Sequence, residues 1–429
     1  MKIVRIIARL NVGGPAKHVV WLTAGLRRPA FESLLVTGSV PPGEEDMAYF
    51  AADMNVTPIF LPEMTREISL KDLVTIWKLF RLFTRECPDI VHTHTAKAGT
   101  VGRVAGILYR WSTPAAFAGR PRPCRFIHTY HGHIFHSYYG PVKTRFFLLV
   151  EKILARVITD RIVVVSEQQR REIQEVFGVG TPKQFSVIPL GIDTTAFAEW
   201  KDRGASFRDE IGATARDVVV GIVGRLTDIK NHKLFLEASA TLNELSPQSE
   251  RPVRFVIIGD GASRRLLETK CNALGLDKDV VFAGNRKDPE NFYPALDIVA
   301  LTSKNEGTPL TLIEAMANAR AVIATAVGGV IDLLGDAVSR DENASYVICQ
   351  RGISVPPDQP RAFAAGLLRI ISDAELRQKL GQRGLQFVAQ NHSRERLLDD
   401  MRELYGQFSQ SGSVLLNAHT SKQTCESGM

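Results

Sequence analysis

Two doubly wound α/β units in succession, each a parallel sheet covered by helices on both faces, are what this 429-residue sequence predicts. Three observations carry the prediction. Short, β-branched, almost fully apolar runs alternate with helical segments, the pattern of strands buried on both faces. The alternation comes in two series, separated by the polar connector "WKDRGASFRDEIGATARD". The chain is also too long for one ordinary core, while its 45% hydrophobic and 23% charged residues are those of a globular protein.

Taken in order, "KIVRIIARL" is the first strand, Gly13-Gly14 a turn, and Pro15 to Leu26 a helix with proline near its start, where a missing N–H costs nothing. "SLLVTGSV", "PDIVHTHT", "RFIHTYHG" and "RIVVVS" are the next strands, with helices between. Three prolines between Trp111 and Arg125 mark a surface insertion. "FSVIPLGIDTTAF" closes the first unit. "VVVGIVGRL", "FVIIGDG", "VVFAGN", "DIVALTS" and "AVIATAVGG" are the strands of the second. The expected division is residues 1–190, 191–385, a helix over 386–408 and a disordered tail over 409–429 that lacks periodicity. In "RERLLDDMRELYGQF" the helical spacing of Leu397, Leu398, Met401, Leu404, Tyr405 and Phe408 demands an apolar surface to lie on.

Five scattered cysteines, in no metal-ligand spacing, point to a reducing compartment and no structural zinc. "MKIVRIIARL" starts basic, but Arg5 and Arg9 interrupt its apolar run, so it reads as a strand and not a signal peptide. No apolar stretch approaches the length of a membrane span, and the expected location is the cytoplasm. Charge is uneven. Residues 1–195 hold 25 Lys and Arg against 16 Asp and Glu, a net of +9, and the remainder holds 28 against 30, a net of −2. A basic first half suits nucleic acid, a membrane surface or a phosphorylated small molecule, and composition alone equally allows a protein merely kept soluble by charge.

The candidate chemistry centres on "KNEGTPLTLIEAMANA". Glu306 follows a strand, and Thr308 is expected as the N-cap of a helix with Pro309 at its first position. Glu306 then lies at the positive end of a helix dipole, where the free amides of Gly307, Thr308 and Leu310 can hold a sugar or a phosphate oxygen. Glu314, about 1.5 turns into the helix, can chelate two vicinal hydroxyls. A pair of solvated acids is the alternative, but Glu314 is embedded among Leu310, Leu312, Ile313, Ala315 and Met316, a poor place for one. In "VGRLTDIKNH", Arg225 and Lys230 follow a strand, and Gly224 leaves room for close approach, so the two cations can neutralise a diphosphate as it leaves. Gly13 and Gly14 let backbone amides approach a phosphate, although paired glycines serve many turns. No Glu or Cys accompanies His128, His131, His133 and His136 in zinc-site spacing; His131, at a strand's carboxyl end, suits a hydrogen bond to substrate.

These features in this order resemble a retaining glycosyltransferase of family 4, and the likeness covers the chain to about Phe408. "VHTHTAKAGTVGR", "HTYHGHIF" and "VGRLTDIKNH" are similar to the branch that builds bacterial surface polysaccharides and lipid-linked glycans. The resemblance implies two Rossmann-like domains facing a cleft (GT-B), with the C-terminal helix crossing back to the first. The first domain would bind the acceptor and the second a nucleotide-sugar, UDP-sugar being favoured. Glu306 would hold the donor sugar, Glu314 the ribose, Arg225 and Lys230 the diphosphate. Gly14 would lie near the donor phosphate and His131 beside the reacting sugar. No divalent metal and no cofactor are implied. Where family members commonly carry a glutamate this chain has Asp332, to which no role is given. A lipid-linked or oligosaccharide acceptor and peripheral attachment to an anionic membrane are expected, the latter through "GPVKTRFFLLVEKILARVI". Its Phe146, Leu149, Val150, Ile153 and Val157 form one face and Arg145, Lys152 and Arg156 another; packing of that apolar face on the sheet is the alternative. The competing functions are a sugar-nucleotide 2-epimerase and a non-catalytic nucleotide-sugar binder. A nucleic-acid partner is not expected, since no motif or aromatic-interleaved basic patch supports one.

Overall fold

The structure is a computed structural model that describes residues 1–429 except 41–45, 66–68, 133–139, 198, 246–251, 342–344 and 424–429, and except the side chains of 141, 202 and 409–423. His133 and His136 therefore lie outside the described residues.

The first half builds a seven-stranded, wholly parallel sheet from β1 (Lys2–Ile7), β2 (Glu32–Thr37), β3 (Ile59–Phe60), β4 (Ile90–His94), β5 (Arg125–Tyr130), β6 (Arg161–Val164) and β7 (Phe185–Val187). Its order is β3-β2-β1-β4-β5-β6-β7. The second sheet uses β8 (Val218–Val223), β9 (Val253–Ile258), β10 (Val280–Gly284), β11 (Ile298–Leu301), β12 (Ala321–Thr325), β13 (Ala337–Arg340), β14 (Val347–Cys349) and β15 (Ile353–Val355). Its order is β10-β9-β8-β11-β12-β15-β14-β13, parallel except at the β13-β14-β15 edge. The chain direction across each sheet reverses once beside its first strand, between β1 and β4 and between β8 and β11. Helices leaving opposite faces at such a point open a crevice at the strands' carboxyl ends, and that is where ligands of open α/β sheets bind.

Alternation along each strand sorts the cores. Val4 and Ile6 face Leu79, Phe83, Val101 and Phe126 on one side of the first sheet. Ile3, Ile127 and Val163 face the final helix on the other. That helix crosses back onto the first domain with Leu397, Leu398, Met401, Leu404 and Tyr405 buried and Phe408 packed against them. Burial of each large apolar side chain is worth about 1.5–3 kcal/mol, enough to dock the helix. Gly25 lies so close beneath it that an added Cβ would sit 2.5 Å from Leu398 Cδ1. The helix runs Arg394–Gln423, longer than expected, through part of the segment read as a disordered tail. Ser409–Gln423 contains no proline to stop a helix once started.

The two connections between domains are bonded to one another. Ile192 N donates to His392 O (2.8 Å) and Arg394 N donates to Ile192 O (2.9 Å). His392 Nδ1 donates to Leu190 O (2.7 Å), and Arg394 pairs with Asp193 (2.9 Å).

Two local expectations change. The proline-rich insertion holds a short helix, Pro114–Phe117, capped by the Thr113 hydroxyl, which accepts from Ala116 N. Of its apolar stripe the helix Pro141–Val157 packs only Val150 against the core beneath the sheet. Val142, Phe146, Leu149, Ile153 and Val157 are exposed, while Leu154, Ala155 and Glu151 face inward. The reason is the buried ion pair beneath it: Glu151 takes both oxygens to Arg103 (2.7 Å each) and accepts from Tyr130 Oη (2.5 Å). Among the described residues no helix is long and apolar enough to cross a membrane.

Candidate functional site

The site forms where the carboxyl ends of the two sheets meet. On the second domain, the loop after β8 carries Arg225 and Lys230, and the loop after β11 carries Glu306. Thr302 Oγ1 donates to Lys230 O (3.1 Å) and to Asn231 O (3.0 Å), and Lys304 N donates to Ile229 O (2.8 Å), which ties the two loops together. The result is an ion pair, Lys230 Nζ to Glu306 Oε1 at 2.6 Å, with the Ser303 hydroxyl donating to the same oxygen (2.6 Å). The "VIIGDG" loop supports this from behind. Gly259 is left-handed (φ +137°), and a Cβ there would strike Gly224 O at 2.1 Å. Arg225 O accepts from Thr227 N (2.9 Å), while its exposed guanidinium has no hydrogen bond or ion pair among the described residues.

The helix bearing Glu314 spans Leu310–Ala317 with Pro309, not Thr308, at its N-cap. The Thr308 hydroxyl instead donates to Val165 O of the first domain (3.4 Å). Glu314 is 8% exposed. Its carboxylate accepts from Tyr293 Oη (2.9 Å) and from Lys17 Nζ (3.1 Å), the latter reaching over from the first helix, Gly14–Gly25. The Glu314 charge raises the pKa of the Lys17 ammonium, and burial keeps the Tyr293 phenol protonated. Lys17 was not singled out from the sequence, because nothing local pairs it with a residue about 300 positions away.

The first domain closes the site with glycines. A Cβ on Gly14 would come within 2.9 Å of Leu310 Cδ1, and one on Gly307 within 2.2 Å of His131 O. Gly14 and His131 thus abut Leu310 and Gly307 across the cleft, with Gly13 next in the chain to Gly14. Gly328, left-handed at φ +48°, lets its loop press on Glu306 O, which a Cβ would meet at 1.9 Å. All twelve residues expected to line a ligand site therefore lie on the loops and helix starts facing the cleft or next to them.

Residues 12–196 match the family described as Glycosyltransferase Family 4, and residues 205–387 match Glycosyl transferases group 1. A UDP-Gal:alpha-D-GlcNAc-diphosphoundecaprenol alpha-1,3-galactosyltransferase of Escherichia coli is 33% identical over 281 residues, which is 65% of this chain and 68% of that enzyme. The chain belongs to glycosyltransferase family 4. A D-inositol 3-phosphate glycosyltransferase of Corynebacterium glutamicum is 26% identical over 388 residues, 86% of each chain. The fold matches that of Anabaena HepE in complex with UDP, with a TM-score of 0.74 at 19% identity over 95% of this chain and 100% of that one. The architecture is GT-B.

In this glycosyltransferase two groups that sequence reading passed over take part in the cleft. Asp332 Oδ2 accepts from Gln168 N (2.9 Å), so the position given no role bridges the two domains. Behind His131 lies a stack of buried histidines. His131 Nε2 is 3.0 Å from His94 Nδ1, and His92, tilted over His94 at 4.2 Å between centroids, bonds Tyr405 Oη (2.6 Å) and Thr129 Oγ1 (2.7 Å). Burial pushes the His131 imidazole down to about 3 and holds His92 and His94 well below the usual histidine range, so the rings are neutral. The period-2 placement of His92 and His94 in "VHTHT" was the signal for this stack. Asp277 and Asp279, two positions apart in "DKD", precede β10 at its amino end, the far end of the sheet from the cleft.

Proposed function

We propose that the protein is a retaining glycosyltransferase that moves a sugar from a UDP-sugar to a hydroxyl of a lipid-linked acceptor. The observation that carries this reading is the convergence of Lys230, Glu306 and Glu314 with the His131–Gly132 backbone at one cleft. In support, HepE is described in complex with UDP, and the Escherichia coli relative is named for transfer to a diphosphoundecaprenol-linked GlcNAc.

In this reading the diphosphate enters beside Arg225 and Lys230, and Lys230 turns from Glu306 to the phosphate. Glu306, released, accepts hydrogen bonds from the donor sugar, and the ribose diol replaces Lys17 on Glu314. The neutral His131 offers a ring nitrogen to a sugar hydroxyl. The acceptor oxygen bonds to the anomeric carbon on the face from which the nucleotide departs. Its proton passes to the leaving β-phosphate oxygen, whose charge the two cations stabilise. That charge compensation leaves no need for a divalent metal. The test is a panel of nucleotide-sugars with a bacterial lipid extract, in EDTA. Transfer from one donor that persists in EDTA and rises with the extract is the expected result; loss of transfer in EDTA contradicts it.

The acceptor's lipid would bring the enzyme to the cytoplasmic membrane face. The exposed stripe Val142, Phe146, Leu149, Ile153 and Val157, flanked by Lys143, Arg145 and Arg156, suits an anionic bilayer surface. Leu70, the N-cap of the helix Lys71–Glu86, and Leu73, Val74 and Trp77 on that helix are also exposed on the same side of the sheet.

A further inference from the structure

His18, His94 and His131 come from three separate elements and converge. Each offers one ring nitrogen, and the three nitrogens lie within 4.8 Å of one another. His18 is the fifth residue of the helix Gly14–Gly25, His94 ends β4, and His131 follows β5, the strand paired to β4. Ring centroids are 4.8 Å apart for His18–His131 and 5.3 Å for His94–His131. His18 is 3% exposed, yet among the described residues neither of its nitrogens has a partner; His94 Nε2 and His131 Nδ1 are also without one there. Buried polar atoms without partners are costly, and an ion held between His94 Nδ1, His131 Nε2 and one nitrogen of His18 would give His18 a partner that the described residues do not supply.

We infer that this triad is a binding site for a borderline divalent cation of the zinc type, and that occupying it takes His131 out of the sugar site and stops transfer. Neutral imidazole is the ligand form for such an ion. Two nitrogens on a tetrahedral zinc at about 2.0–2.1 Å lie about 3.3 Å apart. The His94–His131 separation of 3.0 Å is close to that, and His18 has only to lean inward. His94 is preorganised by the His92–Tyr405–Thr129 network behind it. Beside His131, Gly132 lies at the cleft, its would-be Cβ 3.9 Å from Gly307 N. Resident zinc sites usually back their histidines with a carboxylate. Among the described residues none joins this cluster, and Arg5 acts on His18 and His94 from the sheet side. Both features favour an ion that comes and goes, hence an inhibitory site.

The binding half stands on geometry alone, and the inhibitory half rests on the placement of His131 at the donor sugar. Two measurements separate them. Co2+ added to EDTA-treated, dialysed protein should bind at one equivalent per chain with the visible absorption of a four-coordinate site, and Zn2+ should displace it. His18→Gln should weaken binding by more than the roughly 10–100-fold that loss of an outer-sphere partner costs. His94→Gln should do the same, with circular dichroism and melting to show that each variant folds. Zn2+ should then stop transfer by the wild type, EDTA should restore it, and His18→Gln should keep working at that Zn2+ concentration. No stoichiometric Co2+ binding, or binding unchanged in both variants, overturns the site. Normal binding with undiminished transfer overturns the inhibition.

Discussion

The Lys17–Glu314 pair is the interaction that donor binding has to undo. Its carboxylate is the group expected to hold the ribose, so the ammonium and the diol compete for the same oxygens. Replacing Lys17 by alanine leaves Glu314 with Tyr293 alone and should lower the donor KM, by about 3–10-fold if the pair is worth about 1 kcal/mol. A donor titration checks this; an unchanged or raised KM would mean that Lys17 assists the nucleotide. At this scale the sequence was readable wherever function follows from a position after a strand. Glu306, Arg225, Lys230 and His131 all follow strand ends, and all reach the cleft. Lys17, His18 and His94 were not readable as site residues, since their partners come from other elements and only packing assembles them. Thr308 failed as an N-cap for a related reason: the helix starts at Leu310 with Pro309 as its N-cap, and the Thr308 hydroxyl donates across to Val165 O of the other domain.

Among the elements, the helix Pro141–Val157 separates packing from surface chemistry. Leu154 is 4% exposed and Leu149 is 57% exposed, five residues away on the same helix. Leu154→Ala should cost about 2–5 kcal/mol of stability through the cavity it leaves. Leu149→Glu should change stability by no more than about 0.5 kcal/mol while abolishing sedimentation with anionic liposomes, a binding that salt should also weaken. Liposome binding equal to wild type would remove the stripe from any membrane role. Periodicity identified this helix as amphipathic, but not which way its apolar face turns. A buried acid, Glu151, claims the inward side for Arg103 and Tyr130, and that choice is invisible in a hydrophobic pattern. The final helix was legible for the opposite reason, because its apolar residues are the ones that bury.

For the molecule as a whole, the relation of the domains is set by the cleft contacts and by the paired connections at His392. Burial pushes the His392 imidazole down to about 4, although its bond to Leu190 O works against that shift. The unfolded chain takes up this proton near pH 6.5, and the folded chain resists until about pH 4. The contribution is therefore complete above about pH 6.5 and is lost as pH falls toward 4, with the unfolded state binding more protons throughout that window. The loss from this residue should approach about 3 kcal/mol, and other buried histidines add to it with the same sign. Urea midpoints from pH 7 to 4 for wild type and His392→Gln should show a shallower decline in the variant; parallel declines would clear His392 of the effect. Two sheets and a crossing helix were legible from alternation and spacing. The closure that sets His131 against Gly307 was not, because it depends on glycines whose meaning appears only when two distant backbones meet.

The most direct measurement is single-turnover transfer by Glu306→Gln beside its affinity for UDP. If Glu306 holds the reacting sugar, transfer should fall by at least about 100-fold, the usual cost of losing a group aimed at the reacting centre. UDP affinity should meanwhile stay within a few-fold, since the diphosphate and ribose contacts remain. Transfer equal to wild type would contradict the placement of the donor sugar at Glu306, and with it the cleft as the site of reaction.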